Sequence, residues 1–133
     1  NGSQFFINQA GASSFNSDID LGNGMVAHGM WEYYQLLYDS YKQSPEQYNA
    51  QQGFTCIDMD KVSDEVKQLY EENGGNPNLD GAYSVTGRGH TVFAQVFDGM
   101  DVIDRIAAVK TDSSDKPISD VIINEIKLVP YEE

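Results

Sequence analysis

The 133-residue sequence has one cysteine, Cys56, two histidines and only 8 Lys+Arg. One cysteine closes no internal disulfide, and with two histidines it falls short of a Cys/His zinc site. The sequence does not give the compartment; a lone thiol only tips the balance slightly toward the cytoplasm over a secreted or lipid-anchored location. The 8 basic residues stand against 21 Asp+Glu, for a formal charge of −13. Phosphate contacts and anionic membrane surfaces both call for clustered Lys and Arg, so neither nucleic acid nor such a surface is expected as a partner. No apolar run approaches the roughly 18 residues of a membrane span. A Gly-rich phosphate loop, an HExxH motif and paired cysteines are missing too, so neither metal nor cofactor is expected. The chain opens without Met and is in the apolar run Phe5-Phe6-Ile7 within a few residues, which reads as a fragment or a processed form.

What is present supports a packed core. Hydrophobic residues make up 40% and aromatic residues 11% of a chain whose length suits one domain, residues 1–133. A domain of this size buries about two-thirds of the surface its unfolded chain exposes. Residues 4–9 form a short apolar run with polar flanks, the pattern of a buried strand. Residues 11–24 are rich in Gly, Ser and Asn and read as loop, with Asn23-Gly24 as a turn. Apolar and aromatic residues at 30, 33, 34, 37, 38 and 41 have helical spacing. Ser44-Pro45 reads as a helix start, with Gln47 reaching back to the cap, and Ser63 as another. The stretch of about 25–75 is therefore expected to be mostly helical, closed by Asn73-Gly74-Gly75. Beyond it, residues 91–97 and 121–129 favour strands through β-branched and aromatic content, and Met100, Ile103 and Ala107 mark a short helix.

Few residues carry chemistry by spacing alone. Asn16, Asp18 and Asp20 sketch a calcium loop, but the Gly and distal Glu are out of register, so they read as a solvated acidic loop. His28 has no acid or cysteine at a meaningful spacing and reads as structural. Composition and spacing alone give an α and β domain with no named activity.

A resemblance goes further. Asn1-Gly2-Ser3-Gln4-Phe5-Phe6-Ile7 resembles the N-G-S-Q-F-F-I signature of cyclophilin-type peptidyl-prolyl cis-trans isomerases. Residues Gly87-Arg88-Gly89-His90-Thr91-Val92-Phe93-Ala94-Gln95-Val96 are similar to the family's G-[KR]-H-x-V-F-G-x-V strand, and residues 97–106 to the helix that follows it. Asn76-Pro77-Asn78-Leu79-Asp80-Gly81 resembles the segment that some bacterial members carry before that strand, with Asn78 where an aromatic often stands. The blocks occur in family order over about half the chain. The family's N-terminal half, with its F-H-R motif and catalytic arginine, has no counterpart here.

The resemblance implies a mainly β fold with helices: the C-terminal part of a cyclophilin-like closed β-barrel carrying the helical insert. It implies a peptidyl-prolyl isomerase, or rotamase, that assists folding as a chaperone by acting on proline-containing peptides and unfolded chains. Phe6 would be the floor of the proline socket, with Phe5 on the opposite strand face in the core. Gln4 would bind the substrate backbone, Leu79 would close one side, and His90 would line the far wall. With Asn78 in place of that aromatic, one wall of the socket would be either weakened or re-formed by an insert aromatic such as Tyr83. No catalytic residue is assignable, because Arg88 and Arg105 match other family positions. The alternative is a non-catalytic proline-peptide binding module. A complementary N-terminal segment or a second copy would cover the open barrel edges.

Overall fold

The computed structural model describes residues 4–51 and 55–130, so the Asn1-Gly2-Ser3 head of the opening motif lies outside the described residues. The chain forms two units, Asn1–Ala94 and Gln95–Glu133.

The first unit begins with the extended segment 4–10, then α1 (Ala12–Phe15), β1 (Asp18–Gly22) and β2 (Met25–His28). β1 and β2 form an antiparallel hairpin in which Gly22 faces Met25 across the Asn23-Gly24 turn. Both turn residues have positive φ, 54° and 78°, which a two-residue hairpin turn of this hand requires and which Asn and Gly tolerate. Helix α2 (Met30–Gln43) follows, then α3 (Pro45–Asn49) and α4 (Asp64–Asn73). The Ser63 hydroxyl accepts from the Val66 N–H at 3.3 Å and caps α4. Ser44 makes no such bond, so α3 starts on Pro45 without the expected side-chain cap.

The hydrophobic core lies under these helices. Phe15, Tyr34, Tyr38, Cys56, Ile57, Met59 and Val62 are buried together, with Trp31, Tyr70, Tyr83 and Val85 packed against them. Phe15 stacks on Tyr70 and meets Trp31 edge-on, with ring centroids 5.8 and 5.3 Å apart. The Asn16 amide donates to the Glu71 carbonyl at 2.9 Å and fixes α1 against α4. The helical stretch thus recruits residues on both sides of the expected insert: Phe15 from before it, Tyr83 and Val85 from after it. Its helices begin at Met30, because Met25–His28 pairs as a strand. Residues 11–24, expected to be loop, carry α1 and β1.

The second unit contains α5 (Met100–Ala107), braced by an Arg105–Asp101 ion pair of 3.3 Å one turn apart. The Asp112 carboxylate then accepts from the Ser114 and Lys116 N–H groups at 2.8 and 3.1 Å, closing a tight loop at the Thr111–Pro117 bridge.

The closed β-barrel is not the observed fold. Among the described residues the sheet structure is the β1–β2 hairpin plus isolated bridges, and the molecule is mostly helix and loop. Residues 4–9, 91–97 and 121–129, all expected as strands, join no sheet. Strand propensity is a preference for a pleated, half-buried surface, realised only when a neighbouring strand supplies the ladder and a second layer covers the face. Among the described residues no neighbouring strand pairs with these segments, and Phe93, Ile122 and Leu128 stay exposed. Phe5 is likewise exposed rather than in the core.

Candidate functional site

Three of the four candidate residues come together around the turn that precedes His90. The short 3-10 turn Pro77–Leu79 is anchored by a fully buried Pro77. Asp80 pairs with His90 as a single parallel bridge, and the His90 N–H donates to the Leu79 carbonyl at 2.8 Å. This approach depends on Gly89: a Cβ there would run into the Gly81 and Asp80 backbone. The His90 imidazole meets the Phe6 ring edge-on, with centroids 5.0 Å apart and planes at 83°. The Asn76 amide donates to Asn8 Oδ1 at 2.8 Å, a second tie between the turn and the segment bearing Phe6. Gln4 is exposed on that segment and shares no hydrogen bond with the other three.

The turn is also held from the core side. The Tyr34 hydroxyl on α2 donates to Asn78 Oδ1 at 2.9 Å. Behind it, the Asp58 N–H donates to the Tyr83 carbonyl at 2.7 Å, and the Val85 N–H to the Cys56 carbonyl at 3.0 Å. Tyr83 is half-buried and packs against the core.

The electrostatics sort the remaining reactive groups. Burial, then the Asp58 charge, pushes the Cys56 thiol up to about 11, so it is protonated at neutral pH and a poor nucleophile. Burial also raises the Tyr34 phenol, which leaves it a neutral donor. The Asp58 and Asp60 carboxylates raise Tyr38, whose hydroxyl donates to Asp60 Oδ2 at 2.8 Å. His28 contacts Asp18 Oδ1 at 3.0 Å across the hairpin, and its backbone N–H donates to Glu32. That pair escapes a reading by sequence spacing because the strand pairing creates it. Arg105 is engaged with Asp101 on its own helix, and Arg88 is exposed two residues before His90. Among the described residues no cluster of three His, Cys, Asp or Glu could hold a metal, and no helix is long and apolar enough to cross a membrane. An open depression of about 430 Å³, lined by Lys116, Pro117, Asp120, Val121 and Ile122, lies within the second unit and includes none of the candidate residues.

Residues 43–128 match the family described as cyclophilin type peptidyl-prolyl cis-trans isomerase/CLD. The chain belongs to this family. Leu79 and His90 fall inside the matched residues, and Gln4 and Phe6 precede them. Over 65 residues the chain is 48% identical to a Streptococcus pyogenes protein named "Putative bifunctional phosphatase/peptidyl-prolyl cis-trans isomerase", covering 47% of this chain and 12% of that protein. It is 38% identical over 64 residues to a Staphylococcus saprophyticus "Putative peptidyl-prolyl cis-trans isomerase", covering 48% of this chain and 29% of that one. A Staphylococcus aureus protein of the same name is 42% identical over 61 residues, covering 46% and 27%. The chain thus spans less than a third of the length of these relatives. No solved structure matches it.

Proposed function

We propose that this chain is the substrate-binding portion of a peptidyl-prolyl cis-trans isomerase that takes X-Pro segments of unfolded chains and assists their folding. Phe6, Leu79 and His90 form the walls of the proline socket, and Gln4 holds the substrate backbone beside it. The observation that carries this reading is the edge-on contact of Phe6 and His90 beside the turn bearing Leu79. Two rings at about a right angle offer a proline ring an apolar floor and a polar-edged wall, and both are accessible to a peptide. The two units belong to one cyclophilin-type domain in this reading, which is supported by a family match that runs across the boundary between them.

The chemistry asks for little else. Rotation about the X-Pro bond breaks amide resonance, with a barrier of ~18–20 kcal/mol. The isomers differ by only ~0.5–1 kcal/mol, so the catalyst need only favour the twisted state over both. A socket and backbone donors orient the peptide, and a cation near the proline nitrogen stabilises its pyramidal form. That cation is the part no residue here is assigned to. A second reading, a binding module that holds proline peptides without catalysis, is favoured by Arg105 being engaged on its own helix. The exposed apolar side chains of 121–129 suit pairing with a complementary strand-forming segment or a second copy.

A protease-coupled assay on a proline peptide, run with a binding titration of the same peptide, tests this. The expected result is binding with weak turnover, since one missing preorganised donor costs on the order of 100–1,000-fold in rate. Absence of binding would overturn the socket.

A further inference from the structure

We propose that Tyr34 and Asn78 are positioning residues for the His90 wall, through which the helical stretch controls how well the socket holds proline. The proposal rests on the socket reading above and extends it to α2, far from the substrate residues in sequence. Tyr34 is fixed at its ring end, buried in the core with Trp31 5.9 Å away edge-on and Tyr33 at 5.8 Å. Its hydroxyl donates to Asn78 Oδ1 at 2.9 Å, across 44 residues of sequence. Asn78 is the middle residue of the Pro77–Leu79 turn, whose first residue is fully buried and whose last carries the carbonyl that accepts from His90. Just before the turn, Asn76 donates to Asn8, two residues beyond Phe6.

The turn is therefore tied to the core through Tyr34, to His90 through its backbone, and to the segment bearing Phe6 through Asn8. A buried tyrosine hydroxyl needs a partner somewhere. Here the partner is a side chain next to Leu79 rather than a nearby helix carbonyl, so core packing and socket geometry share one hydrogen bond. Losing it leaves Asn78 free to turn and loosens the Leu79 carbonyl that holds His90.

The test measures two quantities on the full chain: affinity for a short Ala-Pro tetrapeptide, and the NMR resonances of the His90 imidazole, which the Phe6 ring shifts. The variants are Tyr34→Phe, Asn78→Ala, their double, and Asn78→Asp, which keeps an acceptor oxygen. Tyr34→Phe and Asn78→Ala should each move the His90 resonances and weaken binding by roughly three- to tenfold, one hydrogen bond's worth. The double should be no worse than either single, and Asn78→Asp should bind like the parent sequence. Unmoved His90 resonances and unchanged affinity in Asn78→Ala would overturn the proposal, whatever happens to thermal stability. Should the unaltered chain bind no peptide, the socket reading falls, and the His90 resonances alone decide whether the tie exists.

Discussion

Phe6 and His90 are 84 positions apart in the sequence and meet edge to face, with ring centroids 5.0 Å apart and planes at 83°. Edge-to-face aromatic pairs contribute about 0.5–1.5 kcal/mol beyond the area they bury. That suffices to hold two exposed rings in a defined relation, and it is too little to account for a folded core.

Phe6→Ala should accordingly reduce proline-peptide affinity while barely changing stability. Phe6 is 55% exposed, whereas removing a buried Phe costs about 3–5 kcal/mol. Parallel peptide titrations and thermal melts separate the two roles. A large fall in melting temperature with unchanged binding would return Phe6 to a structural part.

Phe15→Ala should do the reverse. At 2% exposure, between Trp31 and Tyr70, Phe15 holds α1 on the helical core, and its loss should cost about 3–5 kcal/mol. Urea denaturation monitored by Trp31 fluorescence measures it. A cost below about 1 kcal/mol would mean that α1 is not part of this core.

The contrast between these phenylalanines shows what the sequence could and could not convey. Helical spacing marks α2 because the period of 3.6 is a local property, and the cap at Ser63 and the Asn23-Gly24 turn are local as well. The barrel expectation failed because strands are made by partners distant in sequence. Residues 121–129 are as β-prone as any strand and form none. Leu79 and His90 could be singled out from motif blocks, and the structure brings them together with Phe6. The tie from Tyr34 to Asn78 was not visible, since a tyrosine at a helical core position reads only as packing.

His28 should titrate above its ordinary value. The hydrogen bond to Asp18 raises it most, followed by the charges of Asp18 and Glu32, against a slight opposing effect of burial. A raised folded-state pKa stabilises the hairpin fully below the unfolded value near 6.5, and the contribution fades as pH rises through the higher folded value. An NMR pH titration should show the elevated midpoint, and Asp18→Asn should lower it. An unchanged midpoint in that variant would show that Asp18 is not the cause.

Cys56 should resist thiol reagents in the folded chain at pH 7–8 and react fully in denaturant. Its thiol is 1% exposed as a residue and pushed up to about 11 by burial, so thiolate is scarce. Rapid labelling by a disulfide reagent without denaturant would place Cys56 at the surface.

The central claim is that Phe6, Leu79 and His90 form a socket for proline. It is tested most directly by a residue-resolved NMR titration of the full chain with an Ala-Pro tetrapeptide and with the same peptide carrying alanine for proline. The account predicts saturable shifts centred on Phe6, Leu79 and His90 with the proline peptide, and at least tenfold weaker binding of the alanine peptide. Equal binding of the two peptides, or shifts that leave those three residues untouched, would contradict it.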